Sequence, residues 1–70
     1  MAGTVARVTE ISASSEASFE DAIKVGIDRA NRTLRNVSSA WVKEQKITLD
    51  GSGNVTGYVV HLLVTFVLDD

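Results

Sequence analysis

Near the C-terminus, Tyr58 to Leu68 reads Y-V-V-H-L-L-V-T-F-V-L, and only His61 and Thr65 interrupt the hydrophobic run. Side chains of a β-strand alternate between its faces. One face would carry Tyr58, Val60, Leu62, Val64, Phe66 and Leu68, and the other Val59, His61, Leu63, Thr65 and Val67. Such a strand needs cover on both sides. A chain of 70 residues can lay its own helix over one face. The other requires a second chain or a ligand.

Residues 1–70 make a single domain by length. A domain this small buries a modest share of its surface, and disulfides, a metal or oligomerisation usually support it. There is no cysteine, which excludes disulfides and thiolate metal sites, and one histidine cannot build a zinc site alone. Oligomerisation is the support left. Net charge is −2, and the charges are spread without a basic run, so nucleic acid is a poor partner. No apolar run approaches the roughly 18–20 residues of a membrane span. The N-terminal residues lack the apolar stretch of a secretion signal. The expected location is cytoplasmic, with no membrane partner.

The periodicity predicts a first strand over Arg7–Ser12 and a small, polar connector over Ala13–Ala17. Ser18 is an N-cap with acids in the turn that follows, and Asp21 stands where a capping box places its acid. The helix is expected to run to about Asn36, with Phe19, Ala22, Ile23, Gly26, Ile27, Ala30 and Leu34 as its apolar stripe. Gly26 on that stripe implies close approach of a strand. A second strand over Ala40–Leu49, a turn over Asp50–Asn54 and a third strand over Val55–Leu68 complete the chain. The expected fold is α+β, of order β-α-β-β, with an antiparallel sheet and the helix on one face.

This order, with these residues, resembles the dodecin family. The match is carried by Arg7-Val8-Thr9-Glu10-Ile11 before a Ser-rich connector and by Ser18-Phe19-Glu20-Asp21-Ala22. It continues through Ile27-Asp28-Arg29-Ala30 and Thr33-Leu34-Arg35-Asn36, and closes on Tyr58, Val64, Phe66, Leu68 and Asp69. The resemblance implies a three-stranded sheet wrapped partly round the helix and a hollow homododecamer. It also implies non-catalytic storage of flavins, two per pocket at a two-fold axis. Flavin-binding members stack a tryptophan of strand two on the flavin ring and hold its polar edge with a glutamine of strand three. Those positions fall on Ser39 and Val59. Ser39 offers no flat apolar surface for stacking, and Val59 offers no donor or acceptor in a dry pocket. The standard flavin site is therefore expected to be lost. The stretch Val42-Lys43-Glu44-Gln45 is similar to that of a subgroup lacking the tryptophan and associated with calcium.

Trp41, the sole tryptophan, shares a face with Ser39 by alternation. It reads as a displaced stacking platform, as filling for the void a flavin would occupy, or as packing at a subunit contact. His61 reads as a pocket ligand, a pH-sensitive contact or a hydrogen-bonded interface residue. Asp50–Asn54 begins like a calcium loop, but Val55 and His61 stand where an EF-hand needs glycine and glutamate. A calcium site is more plausibly built from acids of neighbouring subunits, such as Glu10, Glu16, Glu44 and the Asp69–Asp70 end. No nucleophile–base pair or phosphate loop is visible, so enzymatic activity is not expected. The expected ligand surface is Ser39, Trp41, Gln45, Val59 and His61 in a shell that binds a small ligand or ion. A flavin-binding dodecin using Trp41 and a purely structural assembly are the alternatives.

Overall fold

A computed structural model describes residues 3–69. The elements are β1 (Ala6–Ser15), α1 (Phe19–Thr33), β2 (Val37–Leu49) and β3 (Val55–Val67). Both pairings are antiparallel and the sheet order is β1-β3-β2, so the doubly apolar strand is central. Its even row faces the helix. Val60, Leu62 and Val64 are fully buried there, beneath the buried helix residues Ala22, Gly26 and Ala30. Burying each large side chain contributes about 1.5–3 kcal/mol. The odd row, Val59, His61, Leu63, Thr65 and Val67, is half-buried. Flanking strands screen its sides, and no other described element lies over it.

The helix starts as its residues dictate. Ser18 is the N-cap, and its hydroxyl accepts from the Asp21 N–H at 2.9 Å. The Asp21 carboxylate accepts from the Ser15 hydroxyl at 2.6 Å, which ties the helix entry to the end of β1. Gly26 lies against β1 and β3: a Cβ there would sit 3.0 Å from Ala13 Cβ and 3.1 Å from Leu62 Cδ1. The close strand inferred from Gly26 is present.

Three boundaries differ from the sequence expectation by more than one residue. β1 continues through the expected connector to Ser15, because Ala13, Ser14 and Ser15 pair with Val60, Val59 and Tyr58. Ala13 in that stretch is small where the helix passes it closely at Gly26. The helix stops at Thr33 rather than Asn36: Leu34 is extended and its N–H bonds to the Ala30 carbonyl. Asn36 then reverses the chain at φ 62°, a left-handed conformation that Asn tolerates better than most residues. This frees Val37 to begin β2 three residues before the expected Ala40.

The β2–β3 turn is built on Asp50. Its carboxylate accepts from the N–H groups of Ser52 and Asn54 at 2.8 and 3.0 Å and from Asn54 Nδ2 at 3.2 Å. These bonds hold the Asp50 carboxyl below the ordinary aspartate value. Its oxygens are spent on the turn, which is a hairpin and not a calcium loop.

The chain measures 58 × 19 × 14 Å, with a radius of gyration of 14.7 Å. A compact chain of this length would have about 11 Å. Its core comprises five buried apolar residues, Ala22, Ala30, Val60, Leu62 and Val64, while Trp41, Val42, Ile47, Leu49 and Val55 are exposed along the hairpin. No described helix is long and apolar enough to cross a membrane.

Candidate functional site

The sheet face away from the helix carries Ser39, Trp41, Val59 and His61 of the expected site residues. Residues paired across strands share a face, so the register orders this surface into rows. Ser39 lies opposite Thr65, which pairs on its other side with Val8. The next row is Trp41, Leu63 and Glu10, followed by Glu44, His61 and Ser12, then Lys46, Val59 and Ser14.

One expected placement is corrected. Gln45 was expected beside Trp41 by simple alternation, but the register shifts between Val42 and Glu44. A β-bulge puts an extra residue into one strand. Lys43 is that residue, and Gln45 moves opposite Val60, whose row faces the helix. Glu44 takes its place on the outer face. Gln45 still borders a shallow depression of about 190 Å³ with Glu44, Lys46, Val59 and His61. The depression thus gathers Gln45, Val59 and His61, while Ser39 and Trp41 lie further along the sheet.

The polar centre of this face is a cluster around His61. Its Nδ1 lies 3.5 Å from Glu44 Oε1 and 4.0 Å from Glu10 Oε2. Lys43 Nζ reaches both Glu10 carboxylate oxygens at 3.4 Å. These groups are partly solvated, so each pair contributes little stability, about 0–1 kcal/mol. Glu10 and Glu44 were among the acids considered for calcium, and the fold brings them to the two sides of His61. Glu16 borders a separate cleft with Asp21, Ser15 and Thr48. Asp69 pairs with Arg35 at 3.3 Å and accepts from Asn36 Nδ2 at 2.8 Å, and Asp70 lies outside the described residues. Among the described residues no group of three or more His, Cys, Asp and Glu side chains is arranged to hold a metal ion.

Trp41 is 75 % exposed and stands beside Leu63, with Val8 also exposed on this face. It does not fill a void within its own chain. Ser39 and Val59 are far apart: their β3 rows are separated by the run from Val59 to Thr65, roughly 20 Å at about 3.3 Å per residue. One subunit cannot close a small pocket containing both positions. Lys43 and Ser12 were not expected here. Lys43 enters through the bulge, and Ser12 is recognisable once β1 is paired.

One helix laid on a curled β-α-β-β sheet, with the opposite face left half-covered, defines a class of small α+β subunits. A family profile described as Dodecin matches residues 5–69, and the chain belongs to the dodecin family. The dodecin from Streptomyces davaonensis has a TM-score of 0.91 at 33 % identity, with 99 % of this chain and 100 % of that chain covered. A Thermus thermophilus dodecin, solved as a point mutant, has a TM-score of 0.88 at 37 % identity, covering 97 % of this chain and 100 % of that chain. A Mycobacterium tuberculosis protein, described as a calcium-chelating immunodominant antigen and calcium dodecin with a novel calcium-binding site, has a TM-score of 0.81. It is 29 % identical, with 94 % of this chain and 93 % of that chain covered. No curated protein sequence matches the chain.

Proposed function

We propose that this chain is the subunit of a cytoplasmic, non-enzymatic homododecameric shell that binds or stores a small ligand or ion, and that it lacks the standard flavin site. The observation carrying this reading is the unfinished outer face. Trp41 is exposed, the β3 odd row is half-covered, and Ser39 and Val59 are too far apart to meet within one subunit. A pocket on this face closes only when copies meet. The charged groups around His61 give that pocket a polar wall, while Trp41, Leu63 and Val8 give it an apolar one. The calcium-chelating relative supports an ion as one class of cargo.

Flavin stacking on Trp41 is the second reading, supported by its exposure on the face that also carries Ser39. Native mass spectrometry of the purified protein tests both, because it reports subunit number and retained mass together. A twelve-subunit species carrying metal or another small ligand supports the first reading. A yellow, flavin-loaded species supports the second. A ligand-free shell leaves a structural assembly, and a stable monomer removes the shell altogether.

A further inference from the structure

His61 is the sole histidine, and the chain has no cysteine. Among side chains, only imidazole ordinarily changes its charge between about pH 5 and 8, so this chain has one side chain suited to that task. The ring sits where its charge matters. Every charged group facing it comes from a flanking strand: Glu10 from β1, and Lys43, Glu44 and Lys46 from β2. The helix α1 lies across the other face of the sheet. Two carboxylates and two ammonium groups cancel. The face is therefore neutral when the ring is neutral and positive when the ring is protonated.

The contacts of the ring depend on that proton. Nδ1 lies 3.5 Å from Glu44 Oε1 and 4.0 Å from Glu10 Oε2. Both separations exceed the roughly 2.7–3.2 Å of an N–H···O hydrogen bond, so they are charge contacts and not bonds already made. Glu10 has a second cation, because Lys43 Nζ reaches both of its oxygens at 3.4 Å. Glu44 is exposed, and among the described residues His61 is the one basic group at ion-pairing distance from it. A neutral ring leaves Glu44 open to a positive ligand. An imidazolium occupies Glu44 and adds a positive charge to the depression it shares with Gln45, Lys46 and Val59. The neighbouring rung holds the exposed Trp41 and Leu63, about 6–7 Å away along the strand. A flat ligand resting there brings a charged substituent within reach of His61.

We propose that His61 is a proton switch for the charge of the cargo: aromatic anions bind this face more tightly as pH falls through the imidazole range, and aromatic cations less tightly. The proposal deepens the storage reading and rests on it. The sign follows from the ring. Protonation adds one positive charge per subunit and withdraws one free carboxylate, Glu44. A unit charge at about 4 Å in water alters the affinity of a charged ligand by about fivefold, and exclusion of water between copies enlarges the factor.

Two dyes of fixed and opposite charge, anilinonaphthalene sulfonate and N-methylacridinium, test this on the purified wild-type protein. Each is titrated by fluorescence at about pH 5 and 8. The anion is expected to bind about fivefold more tightly at the lower pH and the cation about fivefold more weakly. His61→Gln keeps a polar side chain with no proton to gain, and should bind each dye equally at both. Wild-type affinities that stay fixed or move together overturn the switch and leave the storage reading standing, as do opposite shifts that survive in His61→Gln. If His61→Gln does not fold, nuclear magnetic resonance on wild type decides. Linkage is reciprocal, so saturating anionic dye must raise the midpoint of the His61 titration, and an unmoved midpoint overturns the proposal. Binding of neither dye at either pH removes the storage reading and the switch with it.

Discussion

Asn36 donates from Nδ2 to Asp69 Oδ1 at 2.8 Å, joining the residue that reverses the chain between α1 and β2 to the segment just after β3. Asn36 holds φ 62°, its Nδ2 also reaches the Val67 carbonyl at 3.3 Å, and its own carbonyl accepts from the Val67 N–H at 3.0 Å. One residue therefore sets the chain reversal and fastens the sheet's last strand. Asn36→Ala should lower stability by about 1–2 kcal/mol through left-handed strain alone, before the lost hydrogen bonds are added. Asn36→Gly should cost less, since glycine takes that conformation freely. Urea denaturation of both variants checks the order, and equal losses would show that strain is not the larger cause.

Gly26→Ala sets helix propensity against packing. Alanine gains about 1 kcal/mol in a helix interior, but the new Cβ would sit 3.0 Å from Ala13 Cβ. Ala13 is fixed to the β1 backbone and cannot swing aside, and Leu62 on the other side is fully buried. Overpacking of this kind costs about 1–3 kcal/mol. Net destabilisation is the expected outcome by thermal melting. A stabilised variant would mean that the helix can move away from β1.

The β2–β3 turn should be acid-sensitive. Donation from the Asn54 and Ser52 N–H groups lowers the Asp50 carboxyl below its ordinary value of 3.8. A depressed folded-state value stabilises the native turn above the unfolded value, and that stabilisation is lost as pH falls through the folded one. The amides of Ser52 and Asn54 should stay protected through neutral and mildly acidic pH and lose protection only below 3.8. Asp50→Asn should remove this pH dependence. Nuclear magnetic resonance titration of the two amides measures it directly, and protection lost well above the ordinary aspartate value would contradict it.

Flavin affinity should be recoverable by restoring the two groups that the family resemblance locates. Wild-type protein is expected to leave riboflavin emission largely unquenched. Ser39→Trp combined with Val59→Gln supplies a stacking surface and a polar partner, and should quench riboflavin in the assembled state. Fluorescence titration of both proteins, with Trp41→Ala as a third, separates the readings. Quenching by wild type that disappears in Trp41→Ala would assign stacking to Trp41 instead.

The element order, the Ser18 cap, the helix stripe and the two faces of β3 were legible because each rests on local periodicity or a local hydrogen bond. The position of β3 at the centre was not: β1 pairs with it across the whole helix, and no short-range pattern records that choice. Ala13 to Ser15 resembled a connector because small residues carry a weak strand signal, although close approach of the helix at Gly26 requires Ala13 to be small. Trp41, Val59 and His61 fell on the expected face. Gln45 did not, because one residue inserted at Lys43 inverts every later assignment on that strand. Nothing in the residue types around Lys43 announces the insertion; it becomes visible only when β2 is paired with β3.

That bulge gives β2 two grammars. Up to Val42 the odd positions Ser39 and Trp41 belong to the outer face, and beyond it the even positions Glu44, Lys46 and Thr48 do. Deleting Lys43 would not turn the strand over. It would take out the extra residue, leave Glu44 opposite His61 and Gln45 opposite Val60, and restore plain alternation from Trp41 to Thr48. What would be lost is the ammonium that reaches both Glu10 oxygens: the added length of this strand supplies a charge to the outer face rather than a change of face.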